Sequence, residues 1–269
     1  MQLPFAFYGG ERMNILAIGD VVSAVGCEFL RSKLPAYKKL KAVDLCIANG
    51  ENSAVGNGIT PTSAQYLFDS GVDVITTGNH VFRRREVYDM LDESDRIIRP
   101  VNFHKSSPGK GFTTVDMGFA KVGIVNLSGM VYMDRCDNPF AVVEEVLPQI
   151  EDCRIKIVDF HSEASAEKRA MGFWLDGRVS AVFGTHTHVM TADAQILPKG
   201  TAYISDLGMT GPMQSVLGVK PEISIEWLRT GMPARFDTAE GECIINGCIF
   251  EFDNKTGKAL SVEPVIIEG

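Results

Sequence analysis

Short, almost wholly apolar runs recur along the chain from Met13 onward, at residues 14–19, 43–48, 72–77, 155–160 and 179–184. Runs of this length without a polar face are what strands buried on both sides require. Between them lie stretches of helical period. One is centred on residues 28–41, one runs from Thr60-Pro61 to Ser70, and others cover 84–92 and 139–150. Thr60-Pro61 supplies an N-cap residue followed by proline at the first helical position. A further helix is predicted from Ser162, as cap, to Trp174. Residues 112–127 alternate and turn at Gly118, which predicts a hairpin or two adjacent strands. The remainder (202–205, 222–228, 242–252 and 261–267) reads as β-rich without long helices. Strand–helix alternation over this length predicts a layered α/β fold. No repeat, linker or low-complexity segment interrupts it, so residues 13–269 are read as one domain.

Residues 1–12 lie outside this rhythm. They lack the charged start and long apolar stretch of a signal peptide. Gly9-Gly10-Glu11-Arg12 can be encoded by a purine-rich run resembling a ribosome-binding site. Met13 is therefore read as the natural start and 1–12 as a leader outside the fold, which the intact mass of the natively expressed protein would decide. Composition narrows the rest. With 45% hydrophobic and 22% charged residues, the chain has ordinary globular usage. A formal charge of -8 argues against a broad nucleic-acid-binding face, while leaving room for a local basic pocket. The six cysteines form no C-x-x-C pair and several fall inside apolar runs, so they read as reduced thiols of a cytoplasmic protein. No apolar stretch is long enough to span a membrane.

The chemistry gathers where the apolar runs end. Asp20, Asn49-Gly50-Glu51-Asn52, Asn79-His80, His161, and His186 with His188 each follow such a run, and they include four of the five histidines. Any one of them is an ordinary turn or capping residue. Together they match the rule that ligands collect outside the carboxyl ends of strands in α/β sheets. Carboxylate and amide oxygens mixed with imidazoles suit manganese, iron or zinc better than calcium. The set also exceeds the three protein ligands of a mononuclear catalytic zinc. Two ions roughly 3.5–4 Å apart, sharing one carboxylate and a water, would use it all, and such a pair suits phosphoester hydrolysis.

Gly19-Asp20, Gly78-Asn79-His80, the lone His161 and Gly184-Thr185-His186-Thr187-His188 resemble the ordered motifs of the calcineurin-like metallophosphoesterases. In the versions Gly19-Asp20-Val21-Val22, Ala48-Asn49-Gly50-Glu51-Asn52, Thr77-Gly78-Asn79-His80-Val81-Phe82 and residues 205–212 the chain is similar to their YmdB-like branch. The resemblance implies an α/β/β/α sandwich. It implies a first metal held by Asp20, Glu51, Asn52 and His188 and a second by Glu51, Asn79, His161 and His186, with Glu51 bridging. It further implies iron or manganese, a metal-bridging hydroxide as nucleophile, and phosphodiester substrates including 2′,3′-cyclic nucleotides, with RNA ends as a related class. His80 matches a residue regarded as a proton donor or phosphate contact. Val22 stands where the wider superfamily has a metal-binding histidine, and Ser23 and Cys27 stand where the branch usually has glycine and arginine. Phosphomonoester hydrolysis and an RNA-binding role with a structural metal remain alternatives, as does self-association.

Other positions are read more plainly. Arg83-Arg84-Arg85, at an expected helix start, is a solvated charge run or a phosphate guide. Asp206 either supports a ligand histidine or shapes a turn, His104 is a loop residue, and Phe173 and Trp174 read as core.

Overall fold

The computed structural model describes residues 11–269. The first apolar run forms β1 (Arg12–Ile18), breaks at Gly19 and resumes as β2 (Asp20–Val21). A Cβ at Gly19 would stand 2.0 Å from the Gly208 carbonyl oxygen, so only glycine lets the two main chains meet there. Next come α1 (Ser23–Leu40), β3 (Leu45–Asn49), α2 (Pro61–Asp69) and β4 (Val74–Thr76). Thr60 caps α2 as expected, exchanging hydrogen bonds with Ser63. The short α3 (Tyr88–Glu93) precedes the hairpin of β5 (Phe112–Asp116) and β6 (Lys121–Ser128), which turns at Gly118. Then follow α4 (Pro139–Val146), β7 (Ile155–His161), α5 (Ser165–Leu175) and β8 (Ala181–Thr185). β9 (Gln195–Ile196), β10 (Ala202–Ile204), β11 (Met209–Pro212), α6 (Pro221–Thr230), β12 (Cys243–Asp253) and β13 (Ala259–Glu268) complete the described chain.

The strands build two sheets. One has the order β2-β11-β12-β1-β3-β4 with β13 also on β12, and the other has the order β5-β6-β7-β8-β10-β9. The period of two along each strand divides the core into three apolar layers. Met13, Ile15 and Ala17 of β1 face inward against Val122, Ile124, Ile155 and Ile157 of the other sheet. Leu16 and Ile18, one residue out of step, pack outward on Leu30 and Leu34 of α1 and Leu67 of α2. On the far side Val158 and Phe160 of β7 meet Val143 of α4 and Met171 of α5. The result is helix on sheet on sheet on helix. β1, β3 and β4 are mutually parallel, as are β6, β7 and β8, so the carboxyl ends within each group lie on one edge.

Several expectations need correction. Residues 222–228 are helical, not extended: Glu222-Ile223-Ser224-Ile225-Glu226 alternates like a strand, but Pro221 starts the helix and Gly231 ends it at φ 68°. The segment expected to be a helix from Arg84 begins with a 3-10 turn, Arg85–Val87, preceded by another at Val81–Arg83, and becomes α-helical only at Tyr88. Ser162 does not cap α5, whose N-cap is Ala164; its hydroxyl donates to Glu167 instead. Phe173 and Trp174 are half exposed, with Trp174 edge-on to Phe140 and bonded to Glu144. Arg12 opens β1 and pairs with Glu251 at 2.8 Å, and residues 1–10 of the expected leader lie outside the described residues. All six cysteines are free, and five are buried. Among the described residues no helix is long and apolar enough to cross a membrane.

Candidate metal centre

Asn49, the last residue of β3, ties the two sheets together at their carboxyl edge. Its Oδ1 accepts from the Glu51 amide at 3.1 Å. Its Nδ2 lies 3.3 Å from the Thr77 carbonyl, His161 Nδ1 and Thr185 Oγ1. The loop beyond it carries Glu51 into a fully buried position. There Oε2 accepts from the His80 amide at 2.9 Å and Oε1 stands 3.0 Å from His161 Nε2. That nitrogen is also 3.1 Å from Asn79 Oδ1 and 3.0 Å from His186 Nδ1. One carboxylate oxygen, one amide oxygen and two imidazoles thus meet at a point. Gly78 makes the meeting possible, because a Cβ there would lie 2.2 Å from His161 Nε2 and 2.5 Å from Glu51 Oε2.

Asp20, Asn52 and His188 flank this cluster. His188 Nε2 is 3.6 Å from Asp20 Oδ1 and 3.3 Å from Asn52 Nδ2, and Asn52 Nδ2 is 3.4 Å from Glu51 Oε1. Both His186 (φ 103°) and His188 (φ 62°) have left-handed backbone, which lets neighbours two apart turn toward one site. A buried ion pair braces that turn. Lys168 Nζ donates to the Thr185 carbonyl at 2.7 Å and to Asp206 Oδ2 at 2.5 Å, and Asp206 accepts from the Thr187 amide. Asp206 therefore supports the histidine loop through its main chain while also closing the Gly208 turn at 2.8 Å.

Each imidazole has an acceptor behind it. Thr185 Oγ1 gives its proton to Asp159 at 2.8 Å, so at 2.9 Å it accepts from His161 Nδ1. His188 Nδ1 donates to the Leu217 carbonyl at 3.1 Å, and His186 Nε2 faces the Glu163 carboxylate at 3.1 Å. In the neutral state all three rings therefore turn a lone pair inward. They meet the Glu51 carboxylate, Asn79 Oδ1 and Asp20 Oδ1, a buried oxygen without a hydrogen-bond partner. Buried acceptors facing acceptors are costly unless a cation lies among them. The donor set fits a transition-metal ion on this ground. Asn52 fits as an oxygen ligand only if its amide turns over, because Oδ1 now faces His80 Nδ1 at 2.9 Å. After that turn Nδ2 would donate to His80 Nδ1 and fix the His80 proton on Nε2.

The titration behaviour follows from the same packing. Burial works against a charged His161, but Glu51 outweighs it and lifts the ring to about 9. Burial, with charged His161 beside it, drives His186 down to about 3. Burial opposes charge on Asp20 and Glu51, yet His188 holds Asp20 and His161 holds Glu51 below their ordinary ranges. Burial lifts Asp159 to about 7 and lowers His80 below its usual value. Protonated, His161 donates to Glu51; deprotonated, it offers its lone pair at the same place, so proton and cation compete there.

A cleft of about 620 Å³ opens over the cluster, bordered by Glu51, Asn52, His80, His186 and His188 and by Arg235 and Phe236 on the segment after α6. The other readings resolve differently. His104 bonds Ser106 in a loop, and Arg83 and Arg85 are exposed. Arg84 is committed to the Val55 and Asn57 carbonyls, which braces the loop after Glu51. Glu163, Thr185, Lys168, Leu217 and Phe236 take part in the site or its cleft without having been singled out from sequence. Of these, Glu163, two residues past His161, and Thr185, inside the Gly184-Thr185-His186-Thr187-His188 motif, carried a local signal.

The architecture is that of the calcineurin-like metallophosphoesterases. Within that class, the model of the family of YmdB-like proteins matches residues 16–265, and the chain belongs to that family. It is 42% identical over 256 residues to a 2′,3′-cyclic-nucleotide 2′-phosphodiesterase of Bacillus subtilis, covering 95% of this chain and 97% of that one. A crystal structure of a hypothetical protein from Thermus thermophilus superposes with TM-score 0.90 at 39% identity, covering 95% and 99% of the two chains. A Mycoplasma pneumoniae crystal structure described as a novel phosphatase gives TM-score 0.90 at 35% identity, covering 96% and 94%.

Proposed function

We propose that this chain is a metal-dependent phosphodiesterase acting on small phosphodiesters such as 2′,3′-cyclic nucleotides. In this reading Asp20, Glu51, Asn52 and His188 hold one ion, Glu51, Asn79, His161 and His186 hold a second, and Glu51 is shared. The observation that carries it is the convergence of Glu51 Oε1, Asn79 Oδ1 and His186 Nδ1 within 3.1 Å of His161 Nε2. The 42% identity to the Bacillus diesterase over nearly the whole chain supports the substrate class. Mixed oxygen and imidazole donors suit manganese, iron or zinc, and the family resemblance points to iron or manganese among them.

Such ions, when bound, activate water and neutralise charge on the phosphoryl group. The chain's own residues supply the rest. Glu163, Thr185 and the Leu217 carbonyl orient the three imidazoles, and the Lys168–Asp206 pair holds the loop between them. His80 borders the cleft and uses Nδ1 on Asn52, so Nε2 is the nitrogen left for the departing alkoxide. Burial lowers its pKa, and the proton available for transfer is the one on Nε2. The test compares bis-p-nitrophenyl phosphate, p-nitrophenyl phosphate and 2′,3′-cyclic AMP on metal-reconstituted protein. Diester turnover well above monoester turnover supports the reading. Preference for the monoester would make it a phosphatase, and turnover of none would leave a binding protein.

A further inference from the structure

We propose that Phe236 forms a stacking platform for the nucleobase of a nucleotide bound at the metal centre. The proposal rests on the nucleotide phosphodiesterase reading above and deepens it. Phe160, Phe183, Phe250 and Phe252 fill the core, whereas Phe236 is 46% exposed and borders the cleft that contains His80 and the ligand cluster. Its ring meets that of Trp227 in a T-shaped contact at 5.6 Å and 87°, which orders it while leaving it half exposed.

Its position relative to the metal centre is built in. Phe236 precedes a short ladder in which Lys220 N donates to the Asp237 carbonyl at 3.0 Å, Val219 pairs with Thr238, and Ala239 N donates to the Gly218 carbonyl at 2.9 Å. Leu217, next on that ladder, accepts from His188 Nδ1 at 3.1 Å. The wall that carries the aromatic ring is thus hydrogen-bonded to a candidate ligand. The cleft's 620 Å³ falls within the roughly 300–1,000 Å³ of small-molecule sites. A phosphate at the ligand cluster leaves a base to find an apolar face in the same cleft, and Phe236 offers one without reading base identity.

The test measures binding, not turnover. Adenosine 3′-monophosphate and inorganic phosphate are titrated calorimetrically into manganese-reconstituted wild type, Phe236→Ala and Phe236→Trp. Phe236→Ala is expected to weaken the nucleotide roughly 10- to 100-fold while leaving phosphate unchanged, and Phe236→Trp to retain nucleotide affinity. Equal weakening of both ligands, or none for the nucleotide, overturns the platform. Wild type that binds the nucleotide but cleaves no diester overturns the phosphodiesterase reading alone, and the Phe236 comparison still decides the platform.

Discussion

Replacing Gly78 by alanine adds one methyl group at the most crowded point of the candidate centre. The new Cβ would lie 2.2 Å from His161 Cδ2 and Nε2 and 2.5 Å from Glu51 Oε2, whereas ordinary contact begins at 3.4 Å. The ring would have to recede by about 1 Å, and it has nowhere to go. It is fully buried, held at Nδ1 by Thr185 at 2.9 Å and flanked by Asn49 at 3.3 Å. The strain passes instead to the main chain at residue 78, which carries Asn79 and His80 with it. Overpacking of this kind costs about 1–3 kcal/mol, which a domain stable by about 5–15 kcal/mol survives. A displacement of about 1 Å among catalytic groups costs on the order of 10²-fold in rate. Thermal unfolding, elemental analysis and diester turnover, measured on one preparation, separate these effects. Gly78→Ala should remain folded with a lowered Tm, lose at least the ion shared by His161 and Asn79, and lose turnover. A Gly78→Ala protein with full metal content and wild-type turnover would refute the crowding on which the site's geometry depends.

Glu51→Gln keeps the shape of the shared ligand but removes its charge, so occupancy of at least one ion and turnover should fall together; both retained at wild-type level removes Glu51 from the bridge. His80→Ala should leave metal content nearly unchanged and lower turnover roughly 10²–10⁴-fold on substrates with poor leaving groups. The loss should shrink for p-nitrophenyl esters, and an equal loss for all leaving groups would make His80 a phosphate contact instead. His161, lifted from 6.5 to about 9, stabilises the fold fully below pH 6.5 and loses that contribution as pH rises through about 9. Metal-stripped protein should therefore lose Tm across this window, while metal affinity rises and manganese-loaded protein holds its Tm; parallel curves for the two forms would contradict the competition between proton and cation.

What could be read from sequence divides along a physical line. Buried strands announce themselves through unbroken apolar runs, and the residues after those runs, Asp20, Glu51, Asn79 and His186 among them, do converge in space. The layers followed from the strand–helix alternation. The left-handed backbone at His186 and His188 could not be read, because it depends on Asp206 and Lys168 from elsewhere in the fold. The acceptors behind the imidazoles were equally hidden: Leu217 lies 29 residues from His188. At residues 222–228 a strand-like alternation competed with helix-end signals at Pro221 and Gly231, and the ends won. Phe236 belongs to no periodic pattern, so only the folded cleft draws it out.

The central claim is that these strand-end residues hold two ions and that hydrolysis depends on both. The direct measurement is turnover of 2′,3′-cyclic AMP by metal-stripped protein as manganese is added in known ratio to protein, with bound metal determined at each point. Turnover absent without metal and rising until close to two ions are bound per chain is the expected result. Turnover that saturates at one bound ion, or that survives complete removal of metal, would contradict it.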